Sequence, residues 1–235
     1  MSAVSRKERL PGRPISREFF EHGPEKVSRK LLGKLLVAID SKTRKPLAGR
    51  IVEVEAYLGP HNDTPDPAAH SYRGPTPRNL VLFGPAGHAY VYSIYGRYYC
   101  MNISCERKGL AGCILLRALE PVTGVAQMAR NRGLDGDAPA RLISSGPSRL
   151  CIALGLTRLL HNGLDVTSAE SPLQVRDDGF PECDVLITPR IGIRHAVDLP
   201  LRFAFRGHAC ISGSKKLNGL PPGSSTVLRG RPSLQ

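Results

Sequence analysis

The stretch RIVEVEAYLGP (Arg50–Pro60) is the clearest strand signal in this chain. Its apolar side chains predict one long strand over Leu47–Tyr57. Because side chains alternate along a strand, the two carboxylates within it, Glu53 and Glu55, are expected on the same face. The sequence therefore places two acidic groups together in an otherwise apolar strand.

A second stretch, HAYVYSIYGRYYCMNIS (His88–Ser104), holds five of the chain's seven tyrosines, and the chain has no tryptophan. It predicts a β-hairpin with strands over Ala89–Ile94 and Arg97–Cys105, joined at Tyr95–Gly96. A concentration of aromatic rings in a basic protein is typical of a surface that stacks nucleic-acid bases.

The rest of the chain has a mixed pattern of helices and strands in one domain. Helices are expected from Ser16, with that serine as the cap, and over 24–32, 121–132 and 147–154; strands are expected over 33–40, 112–119, 173–175, 184–187 and 201–205. The loop-rich segment 59–85 contains six prolines. The predicted domain covers 15–212, between a flexible basic arm (1–14) and a disordered tail (213–235).

The formal net charge is +13 and hydrophobic residues make up 41% of the chain, so this is not a disordered basic tail. The charge can serve solubility alone. It favours a polyanionic partner, above all nucleic acid, because Lys and Arg neutralise phosphates.

The six cysteines show no zinc spacing, and Cys100, Cys113 and Cys151 lie in apolar runs typical of buried thiols. We expect no metal and no cofactor, because the histidines form no ligand pattern and no Walker or dinucleotide-binding loop is present. The segment 1–10 is charged and no apolar run approaches membrane length, which predicts neither a signal peptide nor membrane contact. The expected location is cytoplasmic if the source is bacterial and nuclear if it is eukaryotic.

Two charged residues interrupt apolar strands. Glu55 can simply face solvent, and Arg117 can be a structural ion-pair partner of Glu53 or Glu55. Alternatively, a carboxylate in a partly dry site takes a proton from water while a nearby guanidinium orients that water.

The aromatic residues also allow two interpretations. Tyr90 suits packing on a sheet. Tyr95 lies at the hairpin tip, where a ring has little to pack against and is a candidate wedge between stacked bases. His70 alone is weak evidence for a site.

The segments VEVEAYLGP, AAHSYRGPTPRN, PAGHAYVYSIYGRYYCMNIS, LLRALEP and SGPSRL occur in this order. The chain thereby resembles the alkyladenine (3-methyladenine) DNA glycosylase family from about Leu10 to about Gly213. The set is highly specific, although SGPSRL or LLRALEP alone would be weak. The loops between Tyr57 and His70 and between Asn102 and Arg117 are longer than in the familiar mammalian form.

The resemblance implies an α+β fold: a single mixed domain around a curved antiparallel sheet, with a protruding β-hairpin that enters the minor groove. It also implies a role for each of the following residues: Glu55 as general base, Arg117 as holder of the attacking water, Tyr57 and His70 as a sandwich around a flipped base, Tyr92 at the pocket edge, Asn102 as the group that crowds the exocyclic amine of guanine, Tyr95 as the intercalating residue, and Leu82 beside Tyr95.

The sequence thus predicts a monofunctional DNA glycosylase of base excision repair, acting as a monomer on damaged double-stranded DNA. It would excise alkylated purines (3-methyladenine, 7-methylguanine); whether deaminated or etheno purines are accepted stays open. Two alternatives are a non-catalytic nucleic-acid-binding module on the same fold and a hydrolase of free nucleosides. Glu55 and Arg117 argue against the first, and the tip residue Tyr95 argues against the second.

Overall fold

The computed structural model describes residues 10–214 and residue 218. Within them, nine strands form one sheet in which every pairing is antiparallel and the two ends do not meet. The strands are β1 (Arg13–Pro14), β2 (Leu35–Ile39), β3 (Pro46–Tyr57), β4 (Ala89–Ile94), β5 (Tyr98–Cys105), β6 (Gly112–Thr123), β7 (Leu173–Asp177), β8 (Val185–Thr188) and β9 (Arg202–Phe205).

The main path of the sheet runs β1-β7-β2-β3-β6-β5-β4, while β9 pairs with both β3 and β8. The described part of the chain also contains five short α-helices: α1 (Pro24–Leu31), α2 (Val125–Asn131), α3 (Ala140–Ser144), α4 (Pro147–Ala153) and α5 (Arg158–His161). The prediction of a single mixed domain around an antiparallel sheet is confirmed at this level.

The long strand β3 lies at the centre of the sheet, and all twelve of its residues are buried. Its apolar residues Val52, Val54 and Ala56 join the main hydrophobic core together with helix residues such as Leu31 and Leu150. Burying each large apolar side chain contributes about 1.5 to 3 kcal/mol, so this face anchors the sheet. The other face of β3 is left to carry polar side chains.

Strands β4 and β5 are antiparallel neighbours. β4 and β5 pair up to Ile94 and Tyr98, with residues 95–97 between them. Tyr95 has φ +49° and Gly96 has φ +72°, the left-handed backbone that tight hairpin turns require.

The predicted helix over 121–132 is wrong in its first part, because β6 continues to Thr123. Pro121 pairs with Gly49 beside a register shift, and such an irregularity tolerates a residue without a backbone N–H. The chain then turns at Gly124, with φ +70°, and α2 begins only at Val125.

Other differences concern short elements. α3 and α5, of five and four residues, were not predicted because they are too short to show helical periodicity. The expected helix after Ser16 is a single 3₁₀ turn over Arg17–Phe19, and the serine side chain makes no capping hydrogen bond.

The expected arm and tail lie mostly outside the described residues. Within the arm, however, Arg13 and Pro14 form β1 and pair with Asp177 and Arg176 of β7.

All six cysteines are free thiols, and five of them are buried, as expected for Cys100, Cys113 and Cys151. Among the described residues, no helix has the length and apolarity needed to cross a bilayer. Nor do three or more His, Cys, Asp or Glu side chains in this part of the chain gather as a metal site would require.

Candidate active site

The strand register aligns four residues in one row across the sheet. Glu55 of β3 lies opposite Leu115 of β6, Leu115 opposite Asn102 of β5, and Asn102 opposite Tyr90 of β4. Directly opposed residues of antiparallel strands point to the same face, so this row defines one surface of the sheet. It is the face that β3 does not give to the main core.

A cleft of about 470 Å³ opens above this row. It brings together six of the eight residues implied by the resemblance: Tyr57, His70, Tyr92, Tyr95, Asn102 and Arg117. Pro147 at the start of α4 and the segment 191–193 after β8 also line it. The cleft is therefore assembled from segments distant in sequence.

Glu55 is fully buried behind this cleft, so the solvent-facing alternative is wrong. Its Oε2 accepts a hydrogen bond from the Tyr57 hydroxyl at 3.0 Å. Its Oε1 accepts from the backbone N–H of Ile191 at 2.8 Å and lies 3.1 Å from Nη1 of Arg117. A carboxylate offers about four acceptor positions, so these three contacts leave one on Oε2.

Arg117 lies between the two carboxylates of β3. Its Nε donates to Oε1 of Glu53 at 2.9 Å, and its Nη1 faces Glu55. The structural ion pair and the contact with the candidate base are thus both present. Burial alone would lower the pKa of Arg117, but the charges of Glu55 and Glu53 raise it overall.

The Tyr57 ring packs against the ion pair of Arg190 and Asp66. The guanidinium of Arg190 lies over the Tyr57 ring, 4.5 Å from its centroid, and binds Asp66 through two nitrogens at 2.5 and 2.8 Å. Burial, and then the Glu55 carboxylate, raise the pKa of the Tyr57 hydroxyl well above its usual value. This hydroxyl therefore stays protonated and donates to Glu55.

His70 lines the cleft. Its Nδ1 lies 3.1 Å from the Tyr90 hydroxyl, and its ring meets the Tyr92 ring edge-on at 4.6 Å between centroids. Partial desolvation and the nearby Arg78 lower the pKa of His70. Its imidazole is consequently neutral at physiological pH.

Asn102 forms part of the cleft floor. Its Nδ2 donates to the Cys113 sulfur at 3.0 Å, while its buried Oδ1 has no hydrogen-bond partner among the described residues. Since an unpaired buried polar atom is costly, this group is a candidate contact for a ligand.

Tyr90 and Tyr95 have opposite environments. Tyr90 is buried in a second hydrophobic cluster, as the packing interpretation expects. The Tyr95 ring is 90% exposed at the hairpin tip, also as expected.

Leu82 requires a correction. It was expected beside Tyr95 at a DNA-facing surface, but it is only 1% exposed and packs in the same cluster as Tyr90. Its side chain therefore has no surface to offer to DNA. The nearby exposed leucine is Leu80, at 60%.

Sequence reasoning missed Asp66, Arg190 and Ile191. Asp66 is flanked by Pro65 and Pro67, a pattern that indicates a rigid loop but does not predict which residue Asp66 contacts. Arg190 lies 124 positions away along the chain. No local pattern could have joined the two.

Comparison with known proteins bears directly on this arrangement. The family model described as Methylpurine-DNA glycosylase matches residues 18–209. A protein of Koribacter versatilis is 52% identical over 204 residues, covering 87% of this chain and 95% of the relative. A protein of Methanoculleus marisnigri is 46% identical, and the match covers 83% of this chain and 96% of the relative. A protein of Nitrobacter winogradskyi is 43% identical, and the match covers 86% of this chain and 88% of the relative. All three carry the name "Putative 3-methyladenine DNA glycosylase".

The family match extends over most of the chain, and these relatives are similar along nearly their whole length, which confirms the resemblance inferred from the motifs. The cleft, with its buried carboxylate and aromatic walls, lies within the matched region. The chain belongs to the methylpurine-DNA glycosylase family and is a DNA-repair glycosylase, a hydrolase of N-glycosidic bonds.

Proposed function

We propose that this protein acts on duplex DNA, turns alkylated purines such as 3-methyladenine and 7-methylguanine out of the helix, and hydrolyses their N-glycosidic bond with Glu55 as general base. The observation that carries the proposal is the buried Glu55 carboxylate, with one acceptor position free, directly behind an aromatic cleft. The names of the relatives agree with this substrate class. The same carboxylate disfavours a purely binding module.

In the proposed reaction, Glu55 takes a proton from a water molecule through its free Oε2 position. The water oxygen forms a bond to C1′ of the sugar, and the C1′–N9 bond breaks with its electron pair going to the purine. A purine alkylated at N3 or N7 is cationic, so it leaves as a neutral base and needs no strong acid. Arg117 faces Glu55 and orients the water, and one carboxylate is enough, unlike the pair used by glycosidases.

The cleft walls favour a cationic base. Tyr57, Tyr92 and His70 offer aromatic faces and edges, and tyrosine rings attract cations. The lowered pKa of His70 keeps it uncharged, so it does not repel such a base. Asn102 on the floor provides the steric and polar check on the exocyclic amine of normal guanine.

The proposed DNA contact centres on Tyr95. A base in duplex DNA must leave the stack before its glycosidic bond can be attacked, at a cost of a few kcal/mol. An exposed ring at a hairpin tip can fill the resulting gap, and the left-handed backbone of Tyr95 is a strained conformation of the kind retained at functional sites. One chain supplies the cleft, the base and the wedge, so we propose a monomer.

The test is incubation of the protein with duplex oligonucleotides that each carry one lesion, followed by alkaline cleavage of abasic sites. We expect strand breaks only after alkali, at 3-methyladenine and 7-methylguanine, with no breaks in undamaged duplex; duplexes with deaminated or etheno purines show whether those bases are accepted. Breaks before alkali would contradict the monofunctional assignment. Release of base from free nucleosides, but not from duplex DNA, would favour the nucleoside-hydrolase alternative.

A further inference from the structure

A second buried carboxylate, Glu53, has no part in the chemistry proposed above. It is fully buried two positions before Glu55 on the same strand face. Its Oε1 accepts hydrogen bonds from Nε of Arg117 at 2.9 Å and from Nε of Arg202 at 2.7 Å. The hydroxyl and the backbone N–H of Ser212 also donate to this carboxylate.

These contacts fix Arg117 on all sides. Its Nε binds Glu53, its Nη1 faces Glu55, and its Nη2 donates to the Ser212 hydroxyl at 3.0 Å. A planar guanidinium held through all three nitrogens cannot rotate or withdraw. The position of Nη1 against Glu55 is therefore set by groups on its far side.

Glu53 is itself held by a second arginine. Arg202 donates from Nη1 to the Thr188 hydroxyl at 2.9 Å, and from Nη2 to the Ser212 carbonyl at 3.2 Å and to Oδ1 of Asn218 at 2.8 Å. The cluster thus ties β3 and β6 to β8, β9 and the segment that follows β9. Burying so many charged groups is costly unless each is paired, and here each is.

The charges in this cluster also matter for Glu55. Two carboxylates share Arg117, so neither receives its full positive charge. If Glu53 were neutral, Arg117 would pair with Glu55 alone, and a carboxylate bound to an unshared guanidinium is a weaker proton acceptor. Glu53 therefore holds Arg117 in place and shares its positive charge with Glu55.

We propose that Glu53, held by Arg202 and Ser212, is a positioning residue for base excision: it keeps Arg117 aligned on Glu55 and prevents Arg117 from neutralising the general base. This inference rests on the proposed function of Glu55. It assigns a catalytic effect to a residue that does not touch the cleft.

The experiment compares wild type with Glu53→Gln on one alkylated duplex oligonucleotide. The excision rate is measured under single-turnover conditions from pH 5 to pH 9, together with DNA affinity and the urea midpoint. Using the same oligonucleotide for both proteins cancels any titration of the lesion. The titratable and charged groups around Glu55 are Tyr57 on β3, Arg117 on β6, Cys100 on β5 and Arg190 after β8, and all remain in the variant.

For Glu53→Gln we expect a rate about 10- to 100-fold lower, at unchanged DNA affinity, because small misplacements in an active site have effects of this size. We also expect the acid limb of the rate profile to lie at lower pH than in wild type, because the guanidinium of Arg117 then faces a single carboxylate. Glu53→Asp keeps the charge and should leave the limb at the wild-type pH. The matched control is Glu120→Gln, which makes the same change at a partly exposed carboxylate 4.0 Å from Arg50. This control should alter neither the excision rate nor the position of the acid limb.

A wild-type rate with an unmoved acid limb in Glu53→Gln would overturn the inference. So would a loss of rate that only matches a loss of folded protein. If Glu53→Gln does not fold, Ser212→Ala removes one contact from Glu53 and one from Arg117, and an unchanged rate in that variant would overturn the inference equally. A wild type that excises no lesion refutes the proposed function as well, whereas an active wild type with an unaffected variant refutes the role of Glu53 alone.

Discussion

The guanidinium of Arg190 lies 4.5 Å from the centroid of the Tyr57 ring. The Arg190 side chain is completely buried. Asp66 is equally buried and binds Arg190 through both carboxylate oxygens. The next backbone N–H, that of Ile191, donates to Glu55. One ion pair therefore supports both the aromatic wall of the cleft and the candidate base.

Removing the carboxylate from this ion pair should strongly destabilise the fold. In Asp66→Asn, Arg190 becomes a buried charge without a counter-ion, and breaking such a pair typically costs about 3 to 5 kcal/mol. The free energy of unfolding from urea titration measures the effect. The control is Asp184→Asn, which breaks the exposed pair with Arg206 and should cost less than about 1 kcal/mol. Equal losses in the two variants would show that burial does not make the Asp66 pair special.

Glu55→Gln should abolish excision while leaving binding to damaged duplex largely intact. Glutamine keeps the volume of the side chain but cannot take a proton from water, and loss of a general base typically lowers the rate by about 100- to 10,000-fold. Single-turnover kinetics on an alkylated oligonucleotide provides the measurement, with Glu120→Gln as the matched control. A variant with a near wild-type rate would rule out Glu55 as the base.

The sequence predicted the parts of the site that depend on local patterns. Strand alternation placed Glu53 and Glu55 on one face, and the Tyr-Gly pair located the hairpin turn. It could not predict how Arg117 contacts both carboxylates, because the register shifts on either side of Glu53 depend on the pairing of two strands. The resemblance also placed Leu82 beside Tyr95 as a DNA-binding residue. The burial of Leu82 depends on tertiary packing, which the motif does not encode.

The acid stability of the protein should depend on Glu53. Burial alone would raise the pKa of Glu53, but Arg117 and Arg202 lower it overall. A carboxyl whose pKa is lower in the folded state stabilises the fold above its unfolded pKa of about 4.3, and that contribution disappears as the pH falls through the folded value. Urea midpoints of wild type and Glu53→Gln should therefore differ most at neutral pH, and the difference should shrink only as the pH falls through the lowered folded-state pKa of Glu53. A difference between the two urea midpoints that stays constant at acid pH would contradict the lowered pKa of Glu53.

Affinity for duplex DNA should fall steeply as salt increases. We expect this because the formal net charge of the protein is +13. Each phosphate neutralised by the protein contributes roughly −0.9 to the slope of log K against log salt concentration. Fluorescence anisotropy with a labelled undamaged duplex between low and physiological salt measures the slope. A flat dependence would indicate that the charge serves solubility and would favour the nucleoside-hydrolase alternative.

Tyr95→Ala should weaken base flipping more than bond cleavage. The ring is 90% exposed and packs on no core, so its removal should leave the fold intact. Without a plug in the stack, the extruded state loses on the order of a few kcal/mol, whereas Tyr57, His70 and Glu55 remain in place for a base that does flip. Tyr95→Phe retains the ring and serves as the matched control.

Stopped-flow fluorescence of a base analogue beside the lesion reports the flipping equilibrium of these Tyr95 variants directly. The defect in Tyr95→Ala should shrink when the lesion lies opposite a mismatch or a gap, because less pairing and stacking must then be broken. It should also be absent in Tyr95→Phe, since a phenyl ring fills the same space. Equal flipping equilibria in wild type and Tyr95→Ala would show that Tyr95 is not the wedge. In that case its left-handed backbone would reflect only the geometry of the turn that it shares with Gly96.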